Sequence, residues 1–396
     1  MTENKRLSTE NIGQICFYIG LCLEILILIL DKSTYINPFE GQMFRISFLF
    51  FALKLCLTKY TMKEWGAILA AGGIAAVCYL LSTRDEAVRV VVFVAAMKNV
   101  DAKRAMKLVF WGTIAGLTVL AGLAFAGILG SVYELTPGYG IKEGAQRLCL
   151  GVGNSNALAC MIWALMTLGI YLYHEKMKIW HYFLLAILTW LTYRATLTRT
   201  TFLVMVVTLI AALVMQYVPK LQQAAWLYDC GALAVLSGVG FSVYAAHIAD
   251  RYGNMPEWVL KLERLLTGRI SSICDFTNGG GVLANWRLFG KPTYIEYFDM
   301  GYIRLFFWYG IVPGIGCVLA LLALIWACRK QKDYMGFVLV MSFAVYTVVE
   351  AHIVSVYIAR NYLLLLMGAY WVTMLGKRGG REAYWWRGWE LFGKKR

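Results

Sequence analysis

An all-α, polytopic integral membrane protein is what this sequence predicts, and three observations carry the prediction. The chain of 396 residues is 60% hydrophobic but only 15% charged, where ordinary soluble domains have about 25% charged residues. Apolar windows recur along its length, "QICFYIGLCLEILILIL" and "NYLLLLMGAYWVTMLG" among them, each about long enough for a helix to cross the roughly 30 Å hydrocarbon layer. Lysine is concentrated in alternate loops, the distribution that membrane insertion imposes. The windows lack the strict apolar–polar alternation of a membrane β-barrel strand.

Taken in order, about twelve spans are expected from the apolar windows. They lie near 14–30, 44–57, 65–81, 87–98, 106–129, 156–173, 181–197, 201–218, 226–246, 302–327, 334–349 and 361–376. The fourth is short and contains Arg89. The first follows Lys5 and Arg6 like a signal peptide. It lacks a small-residue cleavage site and runs into "DKSTYINPFE", so it reads as an uncleaved span. With the N-terminus inside, the inner loops are "TKYTMKE", "KNVDAKRAMK", "HEKMKIW", "PKLQQ" and "CRKQKDY", followed by the tail. These carry much of the net charge of +15. Residues 1–376 then form a single integral domain, with a large external loop at about 247–301 and a basic cytoplasmic tail at 377–396. The tail interleaves Lys377, Arg378, Arg381 and Arg387 with Trp385, Trp386 and Trp389. That pattern suits anionic membrane lipid rather than nucleic acid.

The ten cysteines are scattered without a CxxC pair, and the four histidines have no ligand spacing. The cysteines read as small packing residues, and no metal site or cofactor is expected.

Two expected outer segments hold positive residues in number, where outer segments should be poor in them. Residues 131–155 hold Lys142 and Arg147, and 247–301 hold Arg251, Lys261, Arg264, Arg269, Arg287 and Lys291. Long loops escape the positive-inside rule, so this charge has another cause. Arginine is the side chain suited to phosphate, because its rigid fork matches paired oxygens and it stays charged. Arg199 in "TLTRTTF", Arg304 at the start of the tenth span and Arg360 in "YIARNYLLLL" fall at the outer boundary, where a lipid diphosphate would sit. Arg84 and Arg89 are on the same side. Arginines at span ends also snorkel to headgroups, which is the alternative for each one singly.

Acid–base candidates follow. Glu350 and His352 in "VVEAHIVSVYIARNY" lie two residues apart on the outer side, and either could accept a proton from a hydroxyl. Glu350 could instead cap a span end or pair with an arginine. Asp299 in "YFDMGYIRLFFWYGIVPG" is a third, or an N-cap for the next helix. His247 is weaker, and His174 and His181 fall inside. Within the spans, Glu24, Lys54, Arg194 and Asp229 carry charge, which marks function or pairing.

The order "GVGNSNALACM", a span, "TLTRTTFL", a long loop with "LLTGRISS" and "WRLFG", then "DMGYIRLFFWYGIVPG" resembles the O-antigen polymerase/ligase superfamily of Wzy-type polysaccharide polymerases and WaaL-type ligases. The resemblance covers about residues 150–365. It implies a multi-pass protein of the bacterial cytoplasmic membrane with its active site on the external face. Its substrate would be an oligosaccharide on undecaprenyl diphosphate, with membrane lipids around it and a flippase and a chain-length regulator as candidate partners. The implied reaction is glycosyl transfer without metal, with the diphosphate as leaving group. Carried over, Arg199 matches the arginine of the family's helix junction and Arg269 the one that opens the loop helix. Arg360 and Glu350 fall where late outer polar residues occur, and Arg304 and Arg287 complete the diphosphate-binding set. His352, Glu350 and Asp299 are the acid–base candidates. "FDMGY" stands where the family usually has an asparagine, and the loop has only His247, at its edge, for the ligases' histidine. The expected activity is a polysaccharide polymerase making an O-antigen, capsule or exopolysaccharide. A ligase of the same superfamily, or a lipid-linked glycan flippase, is the alternative. A flippase would show two similar halves, and 1–198 does not repeat in 199–396. Trp258, Trp286, Tyr294 and Tyr297 are candidates to stack on sugar rings in a loop that would act as a lid.

Overall fold

The computed structural model describes all residues except 1–8, 136–143, 250–254, 267, 272, 274–282, 295–297 and 377–396. Lys5, Arg6, Lys142, Arg251, Tyr297 and the basic tail therefore lie outside the described residues. In chain order the elements are α1 (Thr9–Lys32), α2 (Glu40–Cys56), α3 (Met62–Ser82), α4 (Glu86–Ala96), α5 (Ala102–Phe125), β1 (Tyr133–Leu135), β2 (Gln146–Leu148), α6 (Ser155–Tyr173), α7 (Ile179–Thr196), α8 (Arg199–Tyr217), α9 (Pro219–Gln222), α10 (Ala225–Ala249), α11 (Glu257–Leu266), α12 (Gly301–Trp308), α13 (Ile311–Gln331), α14 (Tyr334–Thr347) and α15 (Tyr362–Met374). The protein is thus helical, as its windows predict, and α1, α3, α5, α6, α8, α10 and α13 are each long and apolar enough to cross a membrane. α4, α14 and α15, at 11, 14 and 13 residues, are shorter than the roughly 20 residues a straight span needs.

The chain forms two compact units. The first comprises 1–66, 92–209 and 357–396; the second comprises 67–91 and 210–356. In the first, α1 packs on α2 and α5, α5 on α6 and α15, and α6 on α7. Small residues let these helices approach. A Cβ on Gly20 would sit 2.9 Å from the Phe51 ring, and one on Gly116 would collide with Ile29. Two of the intramembrane charges find hydrogen-bond partners within the unit. Glu24, wholly buried, accepts from Ser47 Oγ at 2.6 Å, while Lys54 Nζ donates to Thr58 Oγ1 at 2.7 Å and Lys98 O at 3.1 Å.

Several loops of the first unit are fastened to one another at one end. β1 and β2 pair antiparallel, with Tyr133 opposite Leu148. Ser33, just after α1, bridges to Val152, and Gly153 N donates to Lys32 O at 2.8 Å. The β2 residue Arg147 is buried; its Nε donates to Thr196 O at 2.6 Å and one Nη to Asn156 Oδ1 at 2.7 Å. Glu134 on β1 accepts from Ser155 N at 3.0 Å and from the Ser155 hydroxyl. One end of the unit therefore gathers the α1–α2 turn, the hairpin, the start of α6 and the α7–α8 junction.

In the second unit α10 packs on α12, α13 and α14. The single span expected at 302–327 is two helices. α12 stops at Trp308 and α13 begins at Ile311, with Gly310 at φ +100° between them. The cause is the loop segment "WRLFG", which lies against the break. Arg287 O accepts from Ile311 N at 2.8 Å and Leu288 O from Val312 N at 3.0 Å, while Gly290 N donates to Tyr309 O at 2.9 Å. Backbone groups that an unbroken helix would satisfy internally find partners in the loop instead. A Cβ on Gly310 would lie 2.6 Å from Leu288 O, in a backbone region open essentially to glycine alone. Gly310→Ala should therefore lower the stability of the detergent-solubilised protein by about 3 kcal/mol. Gly316→Ala on α13, where a Cβ meets open space, should change little. Thermal melts of the two variants check this, and equal melting points would show that the break is not fixed by the loop.

Candidate functional site

The second unit builds its polar centre around Arg269. α11 is amphipathic: Val259 and Leu266 are buried, while Lys261 and Glu257 pair at 3.0 Å in the open. At its end Gly268, with φ +86°, reverses the chain. The Glu263 carboxylate then accepts from Ile270 N and Ser271 N, each at 2.9 Å. That clamp fixes the turn between, and the turn aims Arg269 inward.

Arg269 is 7% exposed. One Nη donates to Val349 O, the other to Glu350 Oε1 at 2.5 Å, and Nε lies 3.9 Å from Asp299 Oδ2. Burial disfavours its charge, but the adjacent Glu350 carboxylate, with Asp299 behind it, outweighs burial, and the pKa ends above its ordinary value. Glu350 is brought close by Gly301, whose missing side chain leaves room for Glu350 O 2.7 Å from where a Cβ would stand. His352 is 1% exposed, its ring 4.5 Å from that of Tyr346. Arg304 is buried on α12; its Nε donates to Phe298 O at 2.8 Å and its guanidinium carbon is 4.9 Å from the Trp308 ring centre. Arg84 covers the same ring at 3.9 Å and donates to Tyr294 O at 2.7 Å.

Of the residues singled out by sequence, the structure thus brings Arg269, Asp299 and Glu350 into direct contact, with His352 two residues from Glu350. Arg304 is buried on the helix that Asp299 precedes. Arg287 is exposed, and its carbonyl is engaged at the helix break. Arg199 and Arg360 belong to the first unit. Arg199 opens α8 and is exposed, after Leu197 in the left-handed region closes α7. Arg360 ends a short 3-10 turn.

Two expectations change. Asp299 does not cap α12; Met300 occupies that position and Asp299 turns to Arg269. Tyr294 is buried, its ring stacked on Phe307 at 4.4 Å, and Trp286 stacks on Phe306 at 5.3 Å, so these aromatics pack the loop onto α12. Among the described candidates Trp258 stays exposed, at 53%, while Tyr297 lies outside the described residues. Sequence reasoning also passed over Asp31, Lys32, Glu40 and Tyr357, which the first unit assembles.

The pairing of Arg269 with Glu350 has a measurable consequence. Arg269→Ala leaves a half-buried carboxylate without its cation and should cost about 3 kcal/mol. Arg269→Met with Glu350→Leu should recover most of that loss, because the carboxylate that remains, Asp299, is half exposed and can be solvated by water. Melting points of the two proteins in detergent test this; equal losses would show that the pair does not hold the segments together.

Comparison with known protein families, with curated proteins and with solved structures finds no match.

Proposed function

We propose that the protein is a polysaccharide polymerase with about twelve spans, joining undecaprenyl-diphosphate-linked oligosaccharide repeat units on the outer face of the bacterial membrane. The observation that carries the reading is the buried Arg269 with Glu350 and Asp299 around it: a fixed cation and two carboxylates drawn from three segments of one unit. Such a group fixes the loop turn, the start of α12 and the segment after α14 as one polar frame beside which a substrate could be held.

In this reading the acceptor sugar hydroxyl attacks the anomeric carbon of the donor glycan. The bond from that carbon to the diphosphate oxygen breaks, and its electron pair leaves with the diphosphate. Arginines stabilise the charge gathering there, which is where preorganised donors act most strongly. Arg199 and Arg287 are exposed and ready for an incoming anion. Arg269 and Arg304 are buried and already bonded, and they set the frame. A carboxylate or a histidine takes the hydroxyl proton, Glu350 and His352 being the candidates that the sequence offers.

Deleting the gene should leave single lipid-linked repeat units and no long polymer on a sizing gel. Long polymer left on its lipid carrier would point to a ligase, and units trapped on the cytoplasmic side to a flippase. Arg199→Ala and Arg287→Ala, at exposed positions, should leave the protein in the membrane and lower polymer formation by roughly 100-fold each. Normal chain lengths in both variants would overturn the assignment.

A further inference from the structure

At the gathered end of the first unit stands a second group of titratable side chains. Asp31 and Lys32 end α1, Glu40 opens α2, and Tyr357 and Arg360 flank the short turn before α15. The Tyr357 hydroxyl bonds to Asp31 Oδ1 and also lies 3.0 Å from Glu40 Oε1. Its ring packs 5.8 Å from Phe44, and Lys32 Nζ sits 5.1 Å over it while bonding Asp31 at 2.5 Å. The short turn that ends in Arg360 packs on α1. Burial, then Asp31 and Glu40, push the Tyr357 phenol well above its usual pKa, so it keeps its proton.

The hydrogen inventory is unusual. A phenol has one proton to give, and two carboxylate oxygens stand within reach of its oxygen. It can donate to one of them at a time. A proton arriving on the other carboxylate completes the second hydrogen bond, with the phenol oxygen as acceptor.

Two further features point to a ligand. Among the described residues the buried Nε of Arg360 has no hydrogen-bond partner, and an anion would supply one. The Asp31 side chain is 25% exposed, and the adjoining turn presents Tyr35, Ile36 and Phe39 at 47%, 89% and 63% exposure. The pair of carboxylates is thus reachable, with an apolar rim beside it and cations behind it. The α7–α8 junction that carries Arg199 is fastened into the same end of this unit through Arg147 and the hairpin.

We propose that Asp31, Glu40 and Tyr357 form the acid–base centre that accepts the proton of the acceptor sugar hydroxyl, with Lys32 and Arg360 as the cations that meet the anionic part of the substrate. This rests on the polymerase reading above and moves the proton-accepting role away from Glu350, whose carboxylate is engaged by Arg269. The hydroxyl oxygen forms its bond to the anomeric carbon as the diphosphate leaves. The proton passes to whichever carboxylate is not receiving the Tyr357 hydrogen, and the phenol bridges the two.

The test uses the full-length protein in its host and in isolated membranes supplied with the lipid-linked repeat unit. Asp31→Asn and Glu40→Gln singly should fold and retain part of the activity, because each leaves one carboxylate. The double variant should lose polymer formation by about 100-fold or more while lipid-linked units persist. Tyr357→Phe should fold and shift the pH profile of polymerisation, since it removes the bridge but neither carboxylate. A double variant of normal activity, or an unshifted profile in Tyr357→Phe, overturns the proposal. Should the double variant fail to reach the membrane, the pH profile of Glu40→Gln decides, and an unchanged profile counts against the centre. The polymerase reading fails separately, if deleting the gene leaves polymer intact.

Discussion

A buried guanidinium cannot stand without acceptors, and much of the second unit follows from where Arg269 finds them. Taking the charge out of water is costly, so the chain must bring oxygens to it. It draws them from three places: the carbonyl of Val349, the carboxylate of Glu350 and that of Asp299. Each lies at a junction where a helix ends or begins. Arg269 therefore fixes the relative positions of the loop turn, the start of α12 and the segment after α14. The Glu263 carboxylate supports it by holding the turn that presents it. The long loop is accordingly anchored in its middle, at Arg269.

The same loop resolves a problem of backbone chemistry. Within hydrocarbon every amide must bond inside the protein, and irregular backbone is tolerated only where protein covers it. The break at Gly310 interrupts an apolar stretch that composition alone reads as one helix. Residues 287–290 supply the missing partners from the side. Aromatic stacking of Trp286 on Phe306 and of Tyr294 on Phe307 adds the apolar contact that keeps that segment in place. Residues with the chemistry to stack on sugars are thereby spent on packing.

Both units show how charge is handled where water is scarce. Arg147, Arg269 and Arg304 are buried, and each donates to a main-chain carbonyl. Arg199 and Arg287 stay exposed. Identical side chains thus divide into those that hold the scaffold and those that can meet an incoming anion. Sequence position near a span end does not separate the two groups; burial does.

The sequence by itself determined the helical, membrane-type architecture, because apolar windows and lysine distribution are local properties that need no partner to be read. It also drew attention to Arg269, Glu350 and Asp299, since charge is conspicuous in an oily chain. Which of these meet, and what they leave free, was decided only by tertiary structure. Residues 269, 299 and 350 touch across distant sequence, as do Asp31, Glu40 and Tyr357. No periodicity within one helix records such a meeting. It depends on how helices pack and on which small residues, such as Gly301, let two backbones come close enough for the charges behind them to pair.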